Sequence, residues 1–244
     1  MPKVQVNDID MHYEVHGEGP PLLMLHGFSG ASQAWTPLIK DYSERFQLIV
    51  PDLRGHGKTT NPSKKLSNRQ ASEDINELLK ILGLKNVKAV GCSFGGDTLL
   101  QIATRYPNKI ESMVLDGATP YYTNQMRKKV INLTVTEEQM KIFRQVHVFG
   151  DEQIELLFQN HVEMVSMYDD QNFTAPFLSS IQAKTLVILG DRDIFIPVEM
   201  ATSLFEAIPD SYLWIVPNAG HALTMNSVDV VRNQILDFLT GKWE

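Results

Sequence analysis

Apolar positions in this chain alternate between two patterns. Short apolar-rich runs, interrupted only by Lys88 and Thr185, occur at residues 22–25, 48–50, 87–90, 113–115, 185–189 and 213–216. Runs without polar alternation suit strands buried on both faces, as in a parallel sheet covered by helices. Two further β-type runs, 3–6 and 9–15, meet at Asn7-Asp8 and predict an antiparallel hairpin at a sheet edge. Between the runs, apolar residues recur at helical spacing. Ile75, Leu78, Leu79 and Leu82 predict a helix stopped by Gly83, with Ser67 and Gln70 as a capping box ahead of it. Val228, Val231, Ile235, Phe238 and Leu239 predict the last helix. Residues 97–106 predict another. Strands alternating with helices imply an α/β class, with an eight-stranded, mostly parallel, doubly wound sheet flanked by helices.

The alternation breaks between Thr119 and Ser180. Ile154, Leu157, Phe158, His161, Val165 and Tyr168 fall on one helical face, and Glu137-Glu138 after Thr136 marks a helix start. No convincing strand is present in this stretch. The expected organisation is a core of residues 1–118 and 181–244, with 119–180 as a helical cap inserted after the sixth strand.

Composition narrows the function classes. Hydrophobic residues make up 43% of the 244, enough for a sizeable core. A net charge of −7 argues against nucleic acid or an anionic membrane surface as the main partner. The single cysteine, Cys92, allows neither an intrachain disulfide nor a cysteine-based zinc site. With no signal-like start and no apolar run near ~18 residues, a cytoplasmic protein is expected.

In open parallel sheets, chemistry gathers at the carboxyl ends of the strands. The most specific signal there is Gly91-Cys92-Ser93-Phe94-Gly95-Gly96, a G-x-S-x-G between a strand and a helix. This nucleophile elbow holds its serine in a strained turn and aims the free N–H groups of the next helix at it. Cys92 takes the variable position of the elbow and reads as small buried packing. A serine hydroxyl needs a proton acceptor. His221, in Asn218-Ala219-Gly220-His221, is the candidate, because it completes an ordered Ser…Asp…His series. A carboxylate must orient that histidine. Asp193 is preferred over Asp191 because it sits further into its loop, and Asp116, which also ends a strand, is the rival. The oxyanion needs two preorganised N–H donors. The amide of Phe94 follows the nucleophile, and the amide of Phe28 lies in the loop Gly27-Phe28-Ser29-Gly30.

These motifs resemble those of α/β-hydrolase-fold serine hydrolases, particularly the capped esterases, lactonases and carbon–carbon hydrolases. The matching set is His26-Gly27-Phe28 with Trp35, Asp52-Leu53-Arg54-Gly55-His56-Gly57, the elbow, Gly190-Asp191-Arg192-Asp193 with Pro197, and Gly220-His221. The resemblance covers almost the whole chain. It implies a catalytic triad of Ser93, Asp193 and His221, an oxyanion hole, a cap over the active site, and structural roles for His26, Asp52, Arg54 and His56. It implies no metal and no organic cofactor.

Other motifs fail. Gly57-Lys58-Thr59 looks like the end of a P-loop, but Asp52 stands where that motif requires glycine. Gly17-Glu18-Gly19 lacks the third glycine of a dinucleotide fingerprint. His147 and His161 read as helix-surface or pocket-lining residues rather than metal ligands. The cap is rich in aromatic residues and methionine, and Arg127, Lys128, Lys129 and Arg144 are its candidates for holding a substrate carboxylate. The expected activity is that of a carboxylesterase-like serine hydrolase acting on a small or medium acyl substrate. The same triad also serves carbon–carbon bond, lactone or thioester hydrolysis, or a small-molecule receptor. Monomer and homodimer remain open alternatives.

Overall fold

The computed structural model describes residues 3–226 and 229–243. Within them, eight strands form one sheet: β1 (Lys3–Val6), β2 (Ile9–His16), β3 (Pro21–Leu25), β4 (Gln47–Pro51), β5 (Val87–Cys92), β6 (Ile110–Asp116), β7 (Lys184–Gly190) and β8 (Ser211–Val216). Their order is β1-β2-β4-β3-β5-β6-β7-β8. β2 pairs antiparallel with β1 and β4, and the remaining pairs are parallel. The helices are α1 (Thr36–Ser43), α2 (Asn68–Ile81), α3 (Phe94–Arg105), α4 (Asn124–Ile131), α5 (Glu137–Val146), α6 (Asp151–Ser166), α7 (Ala175–Leu178), α8 (Val198–Ala207) and α9 (Asp229–Leu239). No described helix is long and apolar enough to cross a membrane.

Two cores explain the unalternating runs. Leu23, Leu25, Ala89 and Leu115 pack with Ile75 and Leu79 of α2 and Leu99 of α3. Leu22, Met24, Val90 and Val114 face the other way, onto Leu38 and Tyr42 of α1 and Ile235 and Phe238 of α9. Successive strand residues point to opposite faces, so a sheet covered on both sides needs apolar residues at every position. β8 departs from this expectation. It is an edge strand, and all but Val216 are only partly buried.

The helical expectations need smaller corrections. Ser67 accepts the Gln70 N–H, but the reciprocal half of a capping box is made instead by Thr136 and Gln139 at the start of α5. Tyr168 lies beyond the end of α6 and is exposed, so it does not share the buried face of Ile154, Leu157 and Val165. Val228 lies outside the described residues, while Val231, Ile235, Phe238 and Leu239 form the buried face of α9. Helices α4 to α7 lie between β6 and β7, and Tyr121 and Asn172 meet in an isolated antiparallel bridge.

Candidate active site

The elbow is the turn between β5 and α3. Ser93 has φ 50° and ψ −116°, a conformation that side chains adopt only where the surroundings hold them. The glycines around it are forced by backbone approach. A Cβ on Gly95 would lie 2.1 Å from the Leu25 carbonyl oxygen, and one on Gly91 would lie 2.6 Å from the Gly95 backbone. The Ser93 N–H donates to the Asp116 carbonyl at 2.7 Å, tying the turn to β6.

The structure brings His221 and Asp193 together from the loops after β8 and β7. His221 Nδ1 and Asp193 Oδ2 lie 2.6 Å apart, so the ring donates from Nδ1 and leaves Nε2 as the acceptor. The other oxygen of Asp193 accepts the amides of Phe195 and Ile196 at 2.8 and 2.9 Å, which fixes the carboxylate. The two loops can approach because Gly190 lacks a Cβ, which would sit 2.1 Å from the Ala219 carbonyl oxygen. Burial pushes His221 towards the neutral form. The hydrogen bond and charge of Asp193 oppose that, with smaller help from Asp116 and Asp97, and the net effect raises it above its ordinary 6.5. Asp116 does not reach the ring nitrogen as the partner. Its carboxylate accepts from the Leu223 and Thr224 amides and the Thr224 hydroxyl, and so fastens the segment that follows His221.

Opposite the elbow lies the loop after β3. His26 Nδ1 bonds the Gly27 carbonyl and its Nε2 accepts the Leu53 N–H, so the buried imidazole shapes the loop. A Cβ on Gly27 would lie 3.5 Å from the Ser93 Cβ, which shows how near the loop comes to the serine. Neither the Phe28 nor the Phe94 amide has a hydrogen-bond acceptor among the described residues. Asp52 holds the neighbouring turns through the Ser32 and Lys58 amides, and Arg54 pairs with Asp74 and Asp8. His56 bonds the Arg54 carbonyl, and burial keeps its ring neutral.

Ser93, His221, Phe28 and Phe94 line one cavity of about 340 Å³. No lysine or arginine lines it among the described residues. Arg127 instead bonds the Tyr122 and Met167 carbonyls and stacks over Tyr168, Lys129 bonds the Ile194 carbonyl, and Arg144 pairs with Glu137 and Asp151. Cys92 is buried, and burial pushes its thiol well above the usual range.

Three site residues were poorly visible in the sequence. Asp97, on the first turn of α3, lines the cavity and accepts from the Thr119 amide and the Tyr122 hydroxyl. Burial raises its carboxyl to about 7 despite those donors. His147 is not on a helix surface. It is buried at the end of α5, accepting the Gly57 N–H on Nδ1 and contacting the Ser29 carbonyl through Nε2. His161 lines the cavity and stacks on Phe28. An acidic residue four positions after the nucleophile was a readable signal for Asp97. His161 shared a helical face with Ile154 and Leu157, which agrees with its place on the cavity wall, whereas His147 gave no signal beyond its residue type.

A mostly parallel eight-stranded sheet, a serine on a strained strand-to-helix turn and a paired histidine on the last strand-to-helix loop define the α/β-hydrolase fold. Residues 20–146 match the family described as alpha/beta hydrolase fold, and the chain belongs to that family. It is similar to the serine hydrolase BPHL of Mus musculus, 27% identical over 97% of this chain and 85% of that one. It is also similar to the 2-hydroxy-6-oxo-6-(2'-aminophenyl)hexa-2,4-dienoic acid hydrolase of Metapseudomonas resinovorans, 22% identical over 98% of this chain and 90% of that one. Among solved structures, the enol-lactonase from Burkholderia xenovorans superposes with a TM-score of 0.80 at 22% identity, covering 98% of this chain and all of that one. These relatives are hydrolases, and the chain carries their fold over nearly its whole length.

Proposed function

We propose that this protein is a serine hydrolase that cleaves a small or medium, uncharged carboxylic ester through an acyl-enzyme on Ser93. The observation that carries the reading is the 2.6 Å contact of His221 with Asp193, on a cavity wall shared with Ser93. His221 Nε2 takes the Ser93 proton as Oγ attacks the carbonyl carbon. The oxyanion receives the free amides of Phe28 and Phe94. As the tetrahedral intermediate collapses, the carbon–oxygen bond to the leaving alcohol breaks and His221 returns the proton to that oxygen. Water, deprotonated by the same nitrogen, then releases the acid and restores Ser93. Asp193 orients the ring and stabilises the imidazolium throughout.

The walls of the cavity support this substrate class. Apolar residues such as Met126, Val130, Phe143 and Phe158 line the cavity with the serine, and no lysine or arginine does so among the described residues. A carboxylate buried there would meet no lysine or arginine, which disfavours the dienoic-acid type of substrate. Residues 119–180 are the cap in this reading, because the cavity takes much of its wall from them. The test is hydrolysis of short p-nitrophenyl esters, with Ser93→Ala as control. Turnover in the parent chain and its loss in a folded Ser93→Ala variant are expected. Full activity in that variant would end the proposal.

A further inference from the structure

His161 projects from α6 with its ring stacked on Phe28, centroids 3.8 Å apart and planes 22° from parallel. The ring lines the cavity. Its Nδ1 is sealed from solvent and has no hydrogen-bond partner. Burial holds the ring at about 4, so it is neutral under ordinary conditions. A neutral imidazole carries one N–H and one lone pair. An unused lone pair in a dry wall costs less than an unused N–H, so the proton belongs on Nε2. That nitrogen is the one left to face the cavity. Two other polar residues of the cavity wall already accept elsewhere: Asp97 from Thr119 and Tyr122, and Gln139 Oε1 from the Thr136 amide. Among the described residues His161 makes no hydrogen bond, although it packs on Phe28, which lines the same cavity as Ser93.

We infer that His161 is a specificity residue, donating from Nε2 to a second acceptor, a ketone or ring heteroatom, on an otherwise apolar and uncharged ester. This rests on the reading of Ser93 as nucleophile, because it places the donor beside the scissile carbonyl. The stacked Phe28 face holds the imidazole plane, so the donor direction is set before substrate arrives. A hydrocarbon ester of the same length leaves the N–H unsatisfied.

The test compares p-nitrophenyl esters of hexanoic acid with those of its 4-oxo and 5-oxo derivatives, and ethyl benzoate with its pyridine analogues. Each oxo/alkyl or pyridine/benzene ratio of kcat/KM is measured in the parent chain, His161→Phe and His161→Gln. Comparing ratios between variants cancels the intrinsic reactivity of each ester. At one acceptor position or more, the ratio should fall about three- to tenfold in His161→Phe, the worth of one neutral hydrogen bond, and recover partly in His161→Gln. Ratios unchanged in His161→Phe at every position would overturn the inference. Nitrogen-15 NMR of the unaltered chain at pH 7 provides a check that needs no variant: protonated Nε2 is expected, and protonated Nδ1 would overturn it. Loss of all turnover in Ser93→Ala with flat ratios would refute the role of His161 alone, whereas turnover retained in Ser93→Ala would refute the nucleophile.

Discussion

Gly95→Ala should disable the site without removing any polar group. An alanine Cβ would lie 2.1 Å from the Leu25 carbonyl oxygen, 2.6 Å from its carbon and 2.8 Å from the His26 carbonyl oxygen. Ordinary contact begins near 3.4 Å, so the overlap with Leu25 is 3.4 − 2.1 = 1.3 Å. All three atoms are backbone and cannot rotate away. The start of α3 must therefore separate from the end of β3 by roughly 1 Å, the overlap itself. Those two segments carry the Phe94 and Phe28 amides, so the separation acts directly on the proposed oxyanion donors. Misplacement on this scale costs about 10²-fold in rate. Overpacking of this kind also destabilises by about 1–3 kcal/mol, and each kcal/mol lowers Tm by about 2–4 °C in a chain of this size. Steady-state hydrolysis of a p-nitrophenyl ester and thermal unfolding read the two effects. Gly220→Ala, next to His221, is the control, because a Cβ there meets nothing within 4 Å. It should leave kcat within about twofold and Tm unchanged or slightly raised, through the unfolded chain. A Gly95→Ala variant with parental kcat and Tm would refute the argument that the elbow and the oxyanion loop are held by backbone contact.

Asp193→Asn should lower kcat about 10³–10⁴-fold while leaving the fold intact, because the ring loses its orienting anion. In the parent chain the acid limb of kcat/KM should lie above 6.5, since His221 is raised and must be neutral to act as base; in the variant the limb should move down. The stability carried by this pair has a matching sign. It is fully present below about 6.5 and fades as pH rises through the raised value, so the Tm penalty of Asp193→Asn should be larger at pH 5 than at pH 9. Arg54→Met strands Asp74, which is 1% exposed like its partner. Denaturant unfolding should show a loss of about 3–5 kcal/mol, and an unchanged midpoint would contradict the reading of Arg54 as a structural buried ion pair.

The strand runs were legible because burial on both faces leaves few polar residues inside them, Lys88 of β5 and Thr185 of β7 being the exceptions in the runs, and that is a property of each segment alone. The elbow was legible because close backbone approach admits only glycine at Gly91 and Gly95. β8 was misread as fully buried because its apolar run resembles that of β7, and only its place at the sheet edge exposes it. The Ser67–Gln70 pattern and the Thr136–Gln139 pattern look alike in sequence, yet only the second closes both capping hydrogen bonds. Cap and response are decided by side-chain rotamers, which spacing does not encode.

The chain order of Ser93, Asp193 and His221, together with the glycines that allow sharp turns, specifies the fold and its candidate nucleophile from local pattern. Which carboxylate meets His221 was a different matter. Asp193 and Asp116 both end strands, and only the three-dimensional arrangement turns the first to the ring and the second to the Thr224 amide and hydroxyl. The cavity lining also arises from contacts between distant segments. Asp97 is raised to about 7 because β6 and the segment after it close over α3. His161 becomes a donor beside Phe28 because α6 folds back onto the loop after β3. Backbone geometry reads out locally, whereas the environment of a side chain is set by residues a hundred positions away.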